Sequence, residues 1–238
     1  MESKILCFIL LGIVGYANGQ NVPTNVTQIV LGSMMMIQNG FDYVGSVSLV
    51  RDQGVNIIVD TPASLDNRNR DLMLRGIQQA GLTPASINYL VTTHGHPDHF
   101  GQDHLFPNAR RVMTVFNGTG SSYLYTSLFN DKDIKTMSTN TEVWSTPGHT
   151  GQDISLIVKN TVCCGTVAIV GDLIWNAQDV LNSTVSMNAA MNRALARLSR
   201  NRVLCASDWI VPGHGPMFRV TDQMKQIALC QGRLSSSG

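Results

Sequence analysis

A chain of 238 residues is long enough for one domain with a sizeable core, or for two small ones. With 43% hydrophobic and 14% charged residues, the composition favours a folded globular protein over a disordered one. The formal net charge of +1 argues against a strong overall field for nucleic acids or acidic membranes, although a local basic patch would still be compatible with it.

The first 19 residues have the pattern of a secretory signal peptide. Glu2 and Lys4 precede an apolar stretch over residues 5–16, and Ala17-Asn18-Gly19 supplies a small-x-small cleavage site. The pattern predicts a mature domain over residues 20–238 that is secreted or kept in the secretory pathway. An uncleaved membrane anchor is the alternative, but the apolar stretch is short for a full span. No later segment is long and apolar enough to replace it, so we expect no transmembrane anchor after cleavage.

The first half of the mature chain alternates between strand and helix patterns. The turn signal Asp52-Gln53-Gly54 joins two runs rich in valine and isoleucine, which predicts a hairpin. Leu72, Leu74 and Ile77 form the apolar face of a helix that Gly81 ends. The predicted elements are strands over residues 27–31, 33–37, 44–51, 55–60, 87–91 and 111–116, a helix over 67–79 and a helix over 99–106.

The second half continues the alternation after a polar interval. Residues 117–140 contain several glycines and serines, which predicts a loop with some helix. The later predicted elements are strands over residues 142–145, 154–159, 167–171 and 206–211, a helix over 187–198 and a closing helix over 221–231 with Thr221 as its cap. No repeat or linker interrupts this order. It predicts a single α/β (α+β) domain with two sheets sandwiched between helices.

The densest chemical signal is the segment His94-Gly95-His96-Pro97-Asp98-His99, which follows an apolar strand. Alternation in an extended loop puts His94 and His96 on one side, while Asp98 and His99 lie past the turn and can face a neighbouring point. Imidazole nitrogens and carboxylate oxygens are ligands for zinc and similar cations. The segment can therefore serve two metal ions held about 3.5–4 Å apart. Ordinary surface or core histidines are the alternative, and His104 is assigned to that class.

Three further candidates also follow predicted strands. His149 and His214 each lie in a Pro-Gly-His turn, which presents an imidazole from a tight corner at a strand end. Asp172 follows the apolar run over residues 167–171, where a carboxylate can bridge two cations with its two oxygens. Together these positions predict a metal site rather than a coincidence of residue types.

This ordered set, His94-x-His96-x-Asp98-His99 followed by His149, Asp172 and His214, resembles the metallo-β-lactamase superfamily over nearly the whole mature chain. The resemblance implies a four-layer αββα sandwich with its site on one rim. It also implies the ligand sets, which are His94, His96 and His149 for a first metal and Asp98, His99 and His214 for a second, with Asp172 between them. Asp60 matches the superfamily's early strand-end aspartate and would orient a ligand histidine; a helix or turn cap is the alternative.

The implied reaction is hydrolysis. Two divalent cations, zinc first with iron or manganese as alternatives, would lower the pKa of a water toward about 7, so that hydroxide attacks a carbonyl carbon or a phosphorus. Asp98 would hold both a metal and the proton of the nucleophile, which makes it the predicted catalytic residue. A secreted metal-binding protein without turnover and a purely structural metal site are the alternatives.

Features of other superfamily branches that this sequence lacks reduce the number of candidate substrate classes. Zinc β-lactamases with a cysteine ligand carry that cysteine where this chain has Asp172. Glyoxalase II enzymes add a helical extension, whereas this chain ends at Gly238, soon after His214. The spacing from His149 through Asp172 to His214 leaves no room for the inserted domain of large RNA-processing nucleases. The sequence therefore predicts a compact, single-domain member of the superfamily. A thioester, another ester or a lactam is kept as an alternative substrate.

The contexts of the His94 segment and of Pro147-Gly148-His149-Thr150 resemble a compact animal branch of the superfamily, which implies an endoribonuclease acting on RNA phosphodiesters. The signal peptide conflicts with that substrate, which would place the protein in the cytosol or nucleus. Arg193 and Arg197 could contact phosphates, together with Arg200 and Arg202, although a solvated helix face is the alternative. No DNA-binding motif is evident, and the partner is predicted to be a small-molecule or RNA substrate.

Cysteines and sequons complete the prediction. Cys163 and Cys164 are adjacent and not expected to pair, so we expect one bridge from that pair to Cys205 or Cys230, or else free buried thiols. Trp175 could line a pocket or pack in the core. Glycosylation is predicted at the three sequons, Asn25, Asn117 and Asn182.

Overall fold

The computed structural model describes residues 23–114, 116–119, 122–125 and 133–230. The predicted signal peptide, residues 1–19, therefore lies outside the described residues, as does the side chain of Asn117. The other two sequon asparagines, Asn25 and Asn182, are exposed, and their glycosylation stays a prediction.

The strands form two large sheets and one separate hairpin. The first sheet has the order β1-β4-β5-β6-β7-β8-β9, the second has the order β10-β11-β12-β13-β14-β15, and β2 pairs with β3 alone. The strands are β1 (Asn25–Val30), β2 (Ser33–Ile37), β3 (Gly40–Val44), β4 (Val47–Asp52), β5 (Val55–Val59), β6 (Tyr89–Val91), β7 (Arg110–Val112), β8 (Phe116–Thr119), β9 (Ser122–Tyr125), β10 (Ile134–Thr136), β11 (Thr141–Ser145), β12 (Ile154–Thr161), β13 (Gly165–Ile169), β14 (Trp209–Val211) and β15 (Phe218–Arg219).

The helices lie on the outer faces of the sheets. They are α1 (Asn67–Gln79), α2 (Ala177–Leu181), α3 (Thr184–Ala189), α4 (Arg193–Ala206) and α5 (Asp222–Ile227). Short 3₁₀ turns occupy Pro84–Ser86, Pro97–His99, Asp103–Leu105 and Gly171–Leu173. Within the described residues, no helix combines the length and the apolar character needed to cross a bilayer.

Three apolar clusters show how the layers pack. The central cluster joins the facing sides of the two sheets, with Ile57 and Val91 from the first sheet and Leu156 and Val211 from the second. Another cluster packs Met73 and Ile77 of α1 against the outer side of the first sheet. The third packs α2, α4 and α5 against the outer side of the second sheet. The order is therefore helix, sheet, sheet, helix, which confirms the predicted αββα fold class.

The prediction for residues 67–79 is confirmed at both ends, because local signals specify this helix. Asp66 caps its start by accepting a hydrogen bond from the Asn69 N–H at 3.0 Å. The helix ends at Gln79, and Gly81 follows with a φ of +74°, a backbone conformation that glycine adopts without a steric penalty.

Two predicted helices are wrong because tertiary contacts interrupt them. Residues 99–106 form separate 3₁₀ turns around Gly101, where an added Cβ would lie 2.1 Å from the Ser64 nitrogen. The predicted helix over residues 187–198 is divided into α3 and α4, since the backbone N–H groups of Met191 and Asn192 donate to the His149 and Gly148 carbonyls. Asn192 then caps α4 by accepting from the Leu195 N–H at 3.1 Å.

The polar interval over residues 117–140 is the third difference. We expected a loop with some helix, but its described residues contribute to β8, β9 and β10 at the edges of the two sheets. These strands pair with their neighbours in the chain, β8 with β7 and β9 and β10 with β11, so local hairpin pairing outweighs the turn propensity of the glycines and serines.

The cysteine prediction is also wrong. The structure pairs Cys163 with Cys164, in the turn between β12 and β13, and Cys205 with Cys230. The second bridge is possible because α4 and α5 pack together, which brings the Cα atoms of Cys205 and Cys230 to 5.3 Å, within the usual range for a disulfide.

Candidate metal centre

The candidate residues meet because they follow strands whose ends share one rim of the sandwich. β5 and β6 are parallel neighbours in the first sheet, and β13 and β14 are parallel neighbours in the second. Parallel strands end at the same edge of their sheet, so Asp60 lies beside the His94 segment, and Asp172 lies beside the His214 turn. The backbone bond from the Ser46 N–H to the Gly213 carbonyl, 2.8 Å long, ties the two sheets together at this rim.

The first triad consists of three imidazoles. The Nε2 atoms of His94 and His149 each lie 3.0 Å from Nδ1 of His96. Ligands that share one zinc ion at about 2.0–2.1 Å lie roughly 3.3 Å apart in a tetrahedral arrangement, so these spacings are close to those of a common ligand shell. His94 and His149 are buried, while His96 is exposed and marks the open side of the triad.

The second triad consists of Asp98, His99 and His214. Asp98 Oδ2 lies 3.5 Å from Nε2 of His99 and 3.7 Å from Nε2 of His214. The far nitrogen of His214, Nδ1, lies 3.0 Å from the Val44 carbonyl oxygen at the end of β3, which fixes the direction of the ring. Nε2 of both histidines is therefore directed at the same point as the Asp98 carboxylate.

Asp172 lies between the two triads and presents one oxygen to each. Its Oδ1 lies 3.2 Å from His99 Nε2 and 3.0 Å from His214 Nε2. Its Oδ2 lies 3.6 Å from His149 Nε2 and 3.8 Å from His94 Nε2, and also 3.1 Å from His214 Nε2. The ligand atoms of His94, His96, His149 and Asp172 form one group within 4.8 Å, and those of Asp98, His99 and His214 form another.

The donor set fits a pair of divalent cations. His99 Nε2 and Asp172 Oδ1 are buried atoms that make no hydrogen bond, and both face the second triad. Buried polar atoms without partners are rare in folded proteins, and a bound ion would give both of these atoms a partner. Histidine nitrogens and carboxylate oxygens suit zinc, iron and manganese alike. The cluster is therefore able to bind metal ions, while their number and identity stay predictions.

The pKa shifts of the histidines differ between the first triad and the second. Burial, reinforced by the charge of His99, holds the pKa of His94 well below its ordinary value. Burial likewise lowers the pKa of His149 to about 4, so the His94 and His149 rings are neutral and can bind a cation at neutral pH. Burial also acts to lower the pKa of His99 and His214, but the Asp172 carboxylate, joined by Asp60 at His99 and by the Val44 carbonyl at His214, raises the pKa of each above its ordinary value. The second triad thus favours positive charge.

Asp60 contacts His99 of the second triad at Nδ1, the ring nitrogen that faces away from the candidate metal position. Its Oδ2 lies 2.8 Å from His99 Nδ1 and accepts from the Thr93 hydroxyl at 2.8 Å, while Oδ1 accepts from the Thr93 N–H at 2.7 Å. Thr93 Oγ1 also lies 3.1 Å from His94 Nδ1, so one aspartate is linked to a histidine of each triad. The sequence did not identify Thr93, although its position directly before His94 was the available signal.

Aromatic side chains cover the His214 side of the cluster. Tyr43 of β3 lies 5.1 Å from His214, ring centre to ring centre, and 6.3 Å from Trp175, whose own centre lies 6.4 Å from His214. Trp175 is buried, as the core interpretation expected, yet it also lines the site. Burial, followed by the charges of Asp172 and Asp98, raises the pKa of Tyr43, so its hydroxyl stays protonated. Nothing in the sequence pointed to Tyr43.

Gly213 offers a test of how tightly the cluster is packed. A Cβ at this position would lie 2.0 Å from Asp172 Oδ1, whereas a Cβ at Gly95 would meet no atom within 4 Å. We expect Gly213→Ala to displace Asp172, to cost about 1–3 kcal/mol of stability and to lower turnover by about 100-fold, since small displacements of reacting groups have effects of this size. Thermal melting and steady-state kinetics would measure both effects. Gly95→Ala is the matched control, and equal behaviour of the two variants would contradict the packing described here.

The structure divides the arginines that the sequence grouped together. Arg193 and Arg197 are exposed on α4. Arg200 is buried, and its guanidinium pairs with Asp179 at 2.7 Å, so both interpretations of it, as a phosphate contact and as part of a solvated helix face, are wrong. Arg202 is half-buried and stacks over Trp144 at 4.6 Å. His104, in contrast, is exposed, as predicted.

Comparisons with known proteins agree with this geometry. A family model described as the metallo-beta-lactamase superfamily matches residues 40–118. A Xenopus laevis protein named Metallo-beta-lactamase domain-containing protein 1 is 35% identical over 178 residues, which cover 74% of this chain and 72% of that protein. An uncharacterized protein of Caenorhabditis elegans is 43% identical over 78% of this chain, which spans only 51% of that relative's length.

The fold comparison points the same way. The crystal structure of a probable metal-dependent hydrolase from Staphylococcus aureus superposes with a TM-score of 0.62. The match covers 86% of this chain and 95% of that one at 12% identity, a level that shows the shared fold alone. The superfamily resemblance drawn from the motifs, and its closeness to the compact animal branch, are thereby confirmed.

Proposed function

Because this chain belongs to the metallo-β-lactamase superfamily and has the fold of its metal-dependent hydrolases, we propose that it is a hydrolase that works with two divalent cations. The observation that carries the proposal is the position of Asp172, whose carboxylate lies within 3.0–3.8 Å of histidines from both triads. A single structural ion would need only one of these triads. Zinc is the proposed metal, with iron or manganese as alternatives.

The side chains of the chain have distinct tasks in this reaction. When bound, the two cations supply Lewis acidity and lower the pKa of a water that contacts them toward about 7. Asp98, the partly exposed carboxylate of the cluster, is the proposed acceptor of the proton that the attacking water loses. Tyr43 and Trp175 exclude bulk water from the His214 side, while the exposed edge of His96 leaves a path for substrate.

Two substrate classes follow from different observations. RNA phosphodiesters are suggested by the similarity to the animal branch, and the exposed Arg193 and Arg197 support this substrate because α4 begins beside the His149 loop. Esters and thioesters are favoured by the surface beside His214, where β2 and β3 present apolar side chains and Asp42 is their one charged residue. The two classes predict different activities and can be separated directly.

To test this proposal, the metal-loaded protein is assayed side by side for hydrolysis of four substrates: an RNA oligonucleotide, a generic phosphodiester, a thioester and a β-lactam. We expect activity on at least one substrate, its loss on chelation, and its return with zinc. His96→Ala should lower turnover by at least about 100-fold with the fold preserved, since comparable losses follow removal of one electrostatic group from an active site.

Negative results would also be informative. Metal bound by the wild-type protein without hydrolysis of any substrate would favour a metal-binding protein without turnover. Hydrolysis that resists chelation and is unchanged in His96→Ala would contradict the proposed mechanism.

For localisation, we propose the secretory pathway, on the strength of the N-terminal sequence pattern. The Cys205–Cys230 bridge supports this proposal, because structural disulfides persist in oxidising compartments. Expression of the full chain with a C-terminal tag, followed by detection in the medium and by glycosidase treatment for the Asn25 and Asn182 sequons, would test it. Retention in the cytosol or nucleus would favour the RNA substrate instead.

A further inference from the structure

The hairpin of β2 and β3 exposes large apolar side chains on both of its faces. It pairs with neither large sheet, and its register places Met36 opposite Phe41 and Met35 opposite Asp42. Side chains opposite each other in an antiparallel pair share a face, and alternate residues point to opposite faces. Met36 and Phe41, which are 81% and 44% exposed, therefore lie on one face, while Met35 and Ile37, at 58% and 54%, lie on the other.

The base of the hairpin is attached to the metal centre. Tyr43, on the same face as Phe41, contacts His214, and the next carbonyl, that of Val44, lies 3.0 Å from His214 Nδ1. At the same base, directly before β2, Gly32 is buried so closely that an added Cβ would lie 2.5 Å from the Gly213 carbonyl oxygen. The hairpin thus projects from the rim that holds the site, and its position is fixed there.

A substrate in the site would contact only the face that carries Tyr43 and leave the opposite face in water. A partner protein docked flat on the hairpin would likewise cover one face. Contact on both faces requires a medium that surrounds the tip of the hairpin, and the apolar boundary of a lipid bilayer is such a medium. Phe41 near the turn and Tyr43 near the base resemble the aromatic side chains that settle at the membrane–water interface.

The charge of the hairpin selects the kind of lipid surface. Residues 31–44 contain one charged residue, Asp42, and no lysine or arginine. Attraction to anionic lipids depends on basic residues near the surface, so it contributes nothing here. We propose that the β2–β3 hairpin inserts its tip into the interface of an uncharged or zwitterionic lipid surface and so brings the mouth of the metal centre to that surface.

The test is co-sedimentation of the mature, metal-loaded protein with phosphatidylcholine vesicles. We expect the wild-type protein to sediment, and the double variant Met36→Ser/Ile37→Ser, which removes one apolar side chain from each face, to bind at least about tenfold more weakly. Leu198→Ser is the matched control, since Leu198 is 66% exposed on α4, outside the hairpin, and this variant should bind as the wild type does. Equal melting temperatures would show that all three proteins are folded. Phe41→Ser is a second hairpin variant, and we expect it to weaken vesicle binding as well.

Several outcomes would overturn the proposal. The wild-type protein could stay in the supernatant, the hairpin variants could bind vesicles as strongly as the wild type, or binding could require added phosphatidylserine. Light scattering that shows a dimer dissociated by Met36→Ser/Ile37→Ser would identify a second copy of the chain as the occupant. Vesicle binding is measured without any substrate, so its failure would leave the proposed hydrolase activity standing, and the reverse also holds.

Discussion

Asp172→Asn should bind at most one metal ion per chain and lose nearly all hydrolytic activity. The amide nitrogen that replaces one carboxylate oxygen is a hydrogen-bond donor and cannot bind a cation, so one triad loses its shared ligand. The negative charge that faces four imidazoles is removed at the same time. We expect kcat/KM to fall by about 1,000-fold, which corresponds to about 4 kcal/mol of lost transition-state stabilisation.

Metal content per chain and steady-state kinetics on the best substrate of the panel would measure this effect. Asp71→Asn is the matched control, because Asp71 lies on the surface of α1, where it pairs with the adjacent Arg70. The metal-free Asp172→Asn protein should fold, since the neutral amide fills the same space. Two ions per chain with unchanged turnover would mean that Asp172 does not join the two halves of the centre.

The candidate site could be predicted from the sequence because its chemistry lies in short segments at strand ends. The strands over residues 55–59 and 89–91 are apolar enough to be recognised, and the first polar residues after each are Asp60 and Thr92 to His94. The superfamily resemblance implied that distant segments meet at one rim, and the parallel pairing in the sheet topology shows how they do so. Local spacing alone could not have placed His149 and His214 beside the His94 segment.

The two failed helix predictions, over residues 187–198 and 99–106, share a physical cause, which is contact between residues far apart in the chain. The sequence from Met187 to Leu198 suits a continuous helix, but the helix stops where Met191 and Asn192 bond to the His149 loop. Similarly, Gly101 packs against Ser64, and this contact prevents the helix expected after His99. Both breaks lie next to metal-site residues, where local preference is overridden in order to hold a ligand loop.

The surroundings of individual side chains were the part of the structure that the sequence predicted least well. Tyr43 became part of the site only because β3 ends against the His214 turn. Arg200 follows the same pattern as the exposed Arg193 and Arg197, yet it is buried and donates to Asp179. Burial of a long charged side chain depends on the layer that packs over it, and the helix sequence by itself does not contain that information.

Asp60→Asn should reduce activity by about 10- to 100-fold, as is typical when the hydrogen-bond partner of a ligand histidine is changed. The carboxylate now receives the proton of His99 at Nδ1, which leaves Nε2 free to face the metal position. An asparagine would keep its oxygen on the Thr93 N–H and turn its NH₂ group toward His99. His99 Nδ1 would then have to accept a hydrogen bond, and the ring proton would move to Nε2, the atom that should bind the cation.

Asparagine and alanine at this position separate two roles of Asp60. The residue has a φ of +60°, which asparagine tolerates but alanine does not. We therefore expect Asp60→Asn to melt near the wild-type temperature, whereas Asp60→Ala should lose about 1–3 kcal/mol of stability in addition to activity. Thermal melts, kinetics and metal titration against a competing chelator would distinguish them. If Asp60→Asn matched the wild type in metal affinity and turnover, the orientation of His99 would not depend on this carboxylate.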